Sequence, residues 1–599
     1  MLSGPSWDEI PSGLQFGSKT LSDSDYRIAT KVGILPSMKC LALGLCSILL
    51  LGSSLAPLAV AQPRLGRPNV LLIVSDDQGF GDFSSMGHPL LKTPHLDRLR
   101  GQSLWMRNFY ASPLCAPTRA QLMTGRHQFR TGVWDTWASR SNLAADELTL
   151  ADHFNGAGYR TGIFGKWHLG ENFPFRPQER GFGTTLVWNN FDRMRPTFSR
   201  TGTTTESFDR FVDDVNVDHA IRFMRESAEP FFLYLPLWMP HTHWQTEVPD
   251  AYLEPLKANP NLTEQEKRIL GMIGNLDHNV GRVLEALDKT GLAENTLVIF
   301  MSDNGLVSRQ SAIGRYNAGL RGQKTEVYEG GIRVPFFVRW PQGIPSGVTE
   351  ERGSVMDLVP TLVELIGPLD ANAAKRMDGV SLLPLWQGRV AALADRYIIQ
   401  QQQPQRSGLT PQPFENAAVV GRRYKLVSPV ASAPPELYDL SVDEGERTNL
   451  AASRPEVVRE LTAAYDAWYQ DVTASRGFDP NPAIIGSEAS SVFRESMIQV
   501  QEKTGLLLTV ANGGRYEADL VLIQSDLFAA DAEIGLTDGK NVWRQTVIAG
   551  ESSVKLLLDL PAGQVRLFAW NRGKLARSGY VPWGDDPGFR QIVIKGPLP

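Results

Sequence analysis

Cysteine is scarce in this chain, with three residues in 599. Two of them, Cys40 and Cys46, accompany an apolar stretch from Leu41 to Leu51 that follows Met38-Lys39 and precedes Ala59-Val60-Ala61. A short charged start, an apolar run and a small-x-small site together read as a signal peptide cut after Ala61. Met38 is then the expected start, residues 1–37 an extension ahead of it, and the protein exported, either periplasmic or secreted. Cleavage leaves Cys115 as the single cysteine, which excludes a disulfide within the mature chain. Histidine is absent beyond His278, so the carboxyl-terminal part supplies no histidine chemistry. No apolar run is long and unbroken enough for stable membrane insertion. A net charge of -5 gives no reason to expect nucleic acid or an anionic membrane as partner. No repeat or long low-complexity tract stands out.

A chain of this length exceeds one hydrophobic core and should divide into two or three domains. Asn69–Ser75, Phe231–Leu235, Thr296–Phe300 and Pro335–Arg339 are short continuous apolar runs, suited to strands covered on both faces. Between them lies helical periodicity, as from Glu264 to Asp288, where Leu270, Ile273, Leu276, Val280, Val283 and Leu287 share a face. Strands alternating with helices imply an α/β doubly wound domain over residues 66–385. Residues 386–475 read as a smaller α+β subdomain closed by a helix from Pro455 to Val472. Residues 480–599 show alternating patterns and Gly/Asp turns, as expected of an accessory β-sandwich.

Polar residues gather where the apolar runs end, the usual place for ligands in open α/β sheets. Asp76-Asp77 follows the first run, His241 and His243 the second, and Asp303-Asn304 the third. Any one of these could cap a turn; the three groups together are less easily explained that way. Asp76, Asp77, Asp303 and Asn304 form an all-oxygen set suited to a hard cation, calcium before magnesium in an exported protein. Cys115 opens Cys115-Ala116-Pro117-Thr118-Arg119, continued by Leu122 and Thr124-Gly125-Arg126. A lone cysteine is usually a small apolar core residue, but an exported, unpaired thiol invites oxidation unless it is buried or chemically converted.

The pattern C-x-P-x-R-x-x-L-x-T-G-R resembles the signature of the type I sulfatases, members of the alkaline-phosphatase-like superfamily and close to bacterial exported arylsulfatases. Four further segments match that family in order: Asp76-Asp77-Gln78-Gly79, Gly165-Lys166-Trp167-His168-Leu169-Gly170, Asp303-Asn304-Gly305, and Tyr328-Glu329-Gly330-Gly331-Ile332-Arg333-Val334-Pro335 downstream of Lys324. The resemblance implies a doubly wound mixed sheet with a smaller α+β subdomain. It also implies that Cys115 is oxidised by a formylglycine-generating maturation enzyme to formylglycine (3-oxoalanine), whose hydrate is the nucleophile. One calcium ion per chain would be held by Asp76, Asp77, residue 115, Asp303 and Asn304. Arg119, Lys166 and Lys324 would steady negative charge, His168 would relay protons at residue 115, and His241 would contact sulfate and protonate the departing oxygen. Counting from the second run favours His241, and counting back from Pro249 favours His243, so His243 stays a candidate for binding substrate.

The activity implied is hydrolysis of sulfate monoesters, aryl or, in nature, carbohydrate, with release of inorganic sulfate. Two other readings remain: a phosphomonoester or phosphonate hydrolase of the same superfamily, and an inactive protein that binds sulfated glycans. Trp134, Trp137, Trp188, Trp238 and Trp244 could stack on sugar or aryl rings or serve as core. Arg193, Arg195 and Arg200 could hold a second anionic group or face water.

Overall fold

The computed structural model describes residues 67–136, 139–188, 192–200, 204–242, 247–307, 315–367, 376–403, 410–488, 490–494, 506–522, 533–548, 552–572 and 589–598. The signal segment with Cys40 and Cys46, and also Trp137, His243 and Trp244, lie outside the described residues. No described helix is long and apolar enough to cross a membrane.

The apolar runs form the centre of an 11-stranded mixed sheet. Its strands are β1 (Asn69–Ser75), β2 (Leu104–Tyr110), β3 (Arg160–Gly165), β4 (Thr184–Trp188), β5 (Thr197–Ser199), β6 (Thr205–Ser207), β7 (Phe231–Pro236), β8 (Thr296–Ser302), β9 (Arg333–Val334), β10 (Phe336–Arg339) and β11 (Gly347–Ser354). They run in the order β11-β2-β10-β8-β1-β7-β3-β4-β5-β6, with β9 paired to β2. β1, β7 and β8 are buried at every position because cores cover both faces of the sheet. On one face lie the helices Val212–Glu226 and Glu264–Thr290. Helix Glu264–Thr290 starts at a Thr263/Glu266 capping box and buries the stripe Leu270, Ile273, Leu276, Val280, Val283 and Leu287.

β8, β1, β7 and β3 are parallel neighbours, so their carboxyl ends open on one edge. Ser75 pairs with Ser302 in register, which sets Asp76-Asp77 beside Asp303-Asn304. Lys166 leaves the end of β3, and Trp238–His241 leaves the end of β7. β2 passes through Ala111–Leu114 into the helix Cys115–Thr124, whose first residue is Cys115.

A four-stranded antiparallel sheet follows, from Ile398–Gln401, Ala417–Val420, Tyr424–Ser428 and Glu436–Asp439. Alternation decides its two faces: Ala417, Val419 and Leu426 meet Leu461 and Tyr465 of the helix Pro455–Ala474, while Ala418, Val420 and Val427 meet Tyr110 and Ile332. From Ala483 onward, a five-stranded and a four-stranded sheet share one core. Strand Ser553–Leu560 shows the alternation that produces it, with Val554, Leu556, Leu558 and Leu560 inward.

Candidate active site

Asp76, Asp77, Asp303 and Asn304 are all buried at the open edge of the central sheet. The Asp77 amide donates to Asp303 Oδ1 at 3.2 Å, and Asn304 Nδ2 donates to Asp77 Oδ1 at 2.8 Å. Lys166 Nζ lies 2.5 Å from Asp76 Oδ2, and Lys324 Nζ lies 2.5 Å from Asp77 Oδ1. The Arg119 guanidinium is fully buried: Nη2 meets Asp303 Oδ2 at 2.7 Å, Nη1 donates to the Lys166 carbonyl at 2.9 Å, and Asp76 Oδ2 is 3.8 Å away. His241 Nε2 stands 3.8 Å from Asp77 Oδ2. The charges acting on the Cys115 thiol are those of Lys166, Lys324, Asp76 and Asp303. His168 feels Lys166, Arg119, Asp76 and Lys324. One edge of the sheet therefore gathers every described candidate.

Local backbone explains several of these placements. Asp77 and His168 occupy the left-handed region, with φ of 62° and 60°, and Thr325 beside Lys324 has φ of 76°. Such conformations cost non-glycine residues about 1–3 kcal/mol each and persist only where surrounding contacts impose them. Gly305 is required because its backbone lies against Gly330, whose carbonyl oxygen would sit 1.9 Å from any added Cβ. The Gly305 amide donates to the Gly331 carbonyl at 3.0 Å, so the Asp-Asn-Gly and Glu-Gly-Gly segments form one contact. The Lys324 amide donates to the Leu306 carbonyl and that of Thr325 to the Pro113 carbonyl. Lys324 is thereby strung between the Asp303-Asn304 turn and the approach to Cys115.

Electrostatics sort the groups by protonation state. Burial raises the carboxyl of Asp76, but Lys166, His241, Arg119 and Lys324 together hold it far below the usual range. Burial opposes ionisation of Asp77 too, and Lys324 and His241 outweigh it. Asp303 is pushed up to about 6, first by burial and then by Asp76. Burial disfavours the Lys324 ammonium, yet Asp77 more than restores it and its pKa rises. Burial pushes the Cys115 thiol up, so an unconverted thiol stays protonated and weakly nucleophilic. Loss of water pushes His168 well below its ordinary value and His241 down to about 3, although 22% of the His241 side chain stays exposed to solvent. Both imidazoles are neutral near pH 7, each with one nitrogen to donate and one to accept.

Three oxygens at this edge accept no hydrogen bond: Asp76 Oδ1, Asp77 Oδ2 and Asn304 Oδ1. Oxygen donors left without partners in a buried site suit a hard divalent cation. Ligand atoms of Asp76, Asp77 and His241 lie within 4.8 Å of one another, an Asp-Asp-His cluster that can also take a metal. Gln78 turns away, its Oε1 accepting from Ser75 Oγ at 2.8 Å.

Asp213 and Tyr234 escaped sequence reasoning, and Arg193, read there as an anion holder or a solvated charge, is instead buried as a positioning group. Asp213, buried in the first turn of the helix Val212–Glu226, accepts the amides of Trp238 and Met239 at 3.0 Å and is pushed up to about 6 by burial. Arg193 Nη2 donates to the His241 carbonyl at 2.8 Å. These two side chains hold the two ends of the Trp238–His241 turn. The Tyr234 hydroxyl, on a strand that reads as plain core, accepts from Arg119 at 3.3 Å. Trp238 places its ring 4.9 Å from Lys166 Nζ and packs edge-on against Trp188. Trp134 is core, and Arg200 pairs with Glu206 at 2.6 Å. His127 caps the turn Gln128–Thr131 and packs on Trp468, away from the site. An Asp at a helix start looks like an ordinary favourable end charge, and nothing local marks Asp213 as a clamp.

Comparison with known proteins gives concordant matches. The family model described as Sulfatase matches residues 68–368, and one described as N-sulphoglucosamine sulphohydrolase, C-terminal, matches residues 322–467. Human arylsulfatase A is 32% identical over 469 residues, covering 68% of this chain and 88% of its own. Pig N-acetylgalactosamine-6-sulfatase is 34% identical over 360 residues, covering 54% of this chain and 67% of its own. Among solved structures, Ps i-CgsB in complex with k-i-k-neocarrahexaose superposes with a TM-score of 0.62 at 26% identity, over 69% of this chain and 95% of that one.

Proposed function

The chain belongs to the sulfatase family, the type I enzymes of the alkaline-phosphatase-like superfamily, and from that premise we propose that it hydrolyses sulfate monoesters of carbohydrates, releasing inorganic sulfate at the cleft beside Cys115. The observation that carries this reading is the convergence of Cys115 with two ammonium groups, two neutral imidazoles and three unpartnered oxygens at one sheet edge. Two of the compared proteins are named for, or were crystallised with, a carbohydrate, which favours a glycan ester. Export through the amino-terminal segment fits such a substrate.

Formylglycine at position 115, made from the thiol by a maturation enzyme, would supply in its hydrated form a nucleophilic oxygen and a second hydroxyl on the same carbon. Calcium held by Asp76, Asp77, Asp303 and Asn304 would supply Lewis-acid stabilisation and take up carboxylate charge that the lysines now neutralise. The remaining work falls to the chain itself. Lys324, its ammonium favoured by Asp77, and Lys166, ion-paired with Asp76, bring their Nζ atoms to the non-bridging sulfate oxygens, where charge persists through S–O cleavage. His241, neutral and partly open to solvent, donates an N–H hydrogen bond to the departing bridging oxygen, and the Lys324 ammonium supplies the proton that oxygen takes up. His168 Nδ1, which accepts no hydrogen bond in the fold, receives the proton of the residue-115 hydroxyl. Arg119 holds Asp303 and balances the acidic set from below.

Matched aryl sulfate and aryl phosphate esters test the reading directly. Sulfate release should dominate, fall by about 10²-fold or more on chelation, and return with calcium. Calcium at 100 times its Kd should also stabilise the fold by about 2.7 kcal/mol. Faster phosphate than sulfate release would move the protein to the phosphohydrolase reading. Binding of sulfated glycan without any release, in matured protein, would make it a binding protein.

Asp213→Ala should cost about 1–3 kcal/mol for each amide left without its acceptor. Turnover should fall with it as the His241 turn loosens. Thermal unfolding and steady-state rates read the two effects separately.

A further inference from the structure

The geometry points to the carboxyl-terminal sandwich as a brace for the catalytic loop, acting through Phe175 as a positioning residue; this rests on the proposed role of His168.

His168 sits in the left-handed region at φ of 60°, a conformation that side chains avoid unless their surroundings impose it. The contacts that impose it come from the following segment. The Leu169 carbonyl accepts the Leu143 amide at 3.0 Å. Trp167 Nε1 donates to the Phe175 carbonyl at 2.8 Å, folding Leu169–Pro174 back on the residue before His168. Gly170 lies so close to Phe175 that an added Cβ would meet Phe175 Cβ at 2.4 Å. The fold around His168 is therefore as firm as the anchorage of Phe175.

That anchorage lies in the sandwich. Phe175 is 2% exposed and belongs to the core containing Ile485, Phe493, Leu508 and Ile594; every other buried member of that core lies between Ala483 and Ile594. Both sheets also hold the adjoining backbone. The Ile484 amide, on one sheet, donates to the Phe173 carbonyl at 3.0 Å, and the Val492 amide, on the other, donates to Asn172 Oδ1 at 3.1 Å. Arg176 makes two hydrogen bonds to Glu488 at 3.0 and 2.5 Å. Asn142, whose Oδ1 faces Gly170, exchanges hydrogen bonds with Asn481 at 2.9 and 2.7 Å. An aromatic ring locked in a close-packed interior transmits displacement rather than absorbing it. Releasing it lets the loop relax and carries the His168 imidazole off its productive line, while Lys166 and Lys324 still bind sulfate.

The test compares Phe175→Ala and Phe175→Leu with Leu558→Ala, a cavity in the same core on a strand away from the loop. Kinetics on an aryl sulfate and amide hydrogen exchange are read below the unfolding temperature. Phe175→Ala should lower kcat by about tenfold or more, a barrier change of about 1.4 kcal/mol. Its KM should stay within about twofold, since ground-state binding is kept, and exchange at Trp167–Gly170 should rise. Phe175→Leu should recover most of the loss. Leu558→Ala should lower Tm yet keep kcat within about twofold. Unchanged kcat in folded Phe175→Ala, or an equal loss in Leu558→Ala, would overturn the brace. If Phe175→Ala does not fold, Asn172→Ala takes away the side-chain acceptor of the Val492 amide; faster exchange at Trp167–Gly170 supports the brace, and unchanged exchange overturns it. Exchange needs no turnover, so a parent protein inactive on every ester would sink the sulfatase reading and leave this test intact.

Discussion

Cys115→Ser is expected to end sustained turnover, lowering the steady-state rate by about 10³-fold or more with little change in the fold. Serine is close to cysteine in size, and position 115 lies in the first helical turn at 3% exposure, so packing is kept. Its hydroxyl retains the neighbours Lys166 and Lys324, and displacement at sulfur can still occur once. The resulting ester has no second hydroxyl on the same carbon, so nothing within the site expels the sulfate. A time course should show at most about one alcohol released per chain and then stop. Continued turnover in protein whose residue 115 is verified as serine would remove the need for an aldehyde there.

Arg119→Met is expected to be the most destabilising single change at the site, costing about 3–5 kcal/mol by leaving buried carboxylates without their cation. Arg119 is wholly enclosed, and its Nη2 binds Asp303 at 2.7 Å and stands 3.8 Å from Asp76. Arg119→Lys keeps the charge but cannot serve Asp303, the Lys166 carbonyl and Tyr234 together. The lysine variant should therefore fold better than the methionine variant, while its turnover falls by about 10²-fold or more. Thermal unfolding with and without calcium separates the charge effect from loss of the ion. Equal stability of Arg119→Met and the parent would show that the acidic set does not depend on this arginine.

Much of this arrangement was legible locally. β1, β7 and β8 announce themselves as continuous apolar runs because both their faces are covered. Asp76-Asp77 and Asp303-Asn304 stand at their ends, where a parallel sheet assembles its ligands. Helix Glu264–Thr290 carries its buried stripe and its cap within its own sequence. β2 does not: Leu104–Tyr110 contains Arg107 and Asn108, which pair with Glu444 and Glu350, so its identity as a central strand depends on partners distant in sequence. The same holds for Asp213, Arg193 and Phe175, ordinary residues whose roles come from what the fold brings against them. The choice between His241 and His243 is likewise beyond local counting; His241 is the one described, 3.8 Å from Asp77.

The account turns on the chemical identity of residue 115, and the mass of the tryptic peptide Asn108–Arg119 reads it directly. In protein made with a formylglycine-generating system and active on an aryl sulfate, the peptide should have exchanged the sulfur and two hydrogens of Cys115 for one oxygen. An intact thiol throughout a preparation that releases sulfate would contradict the account.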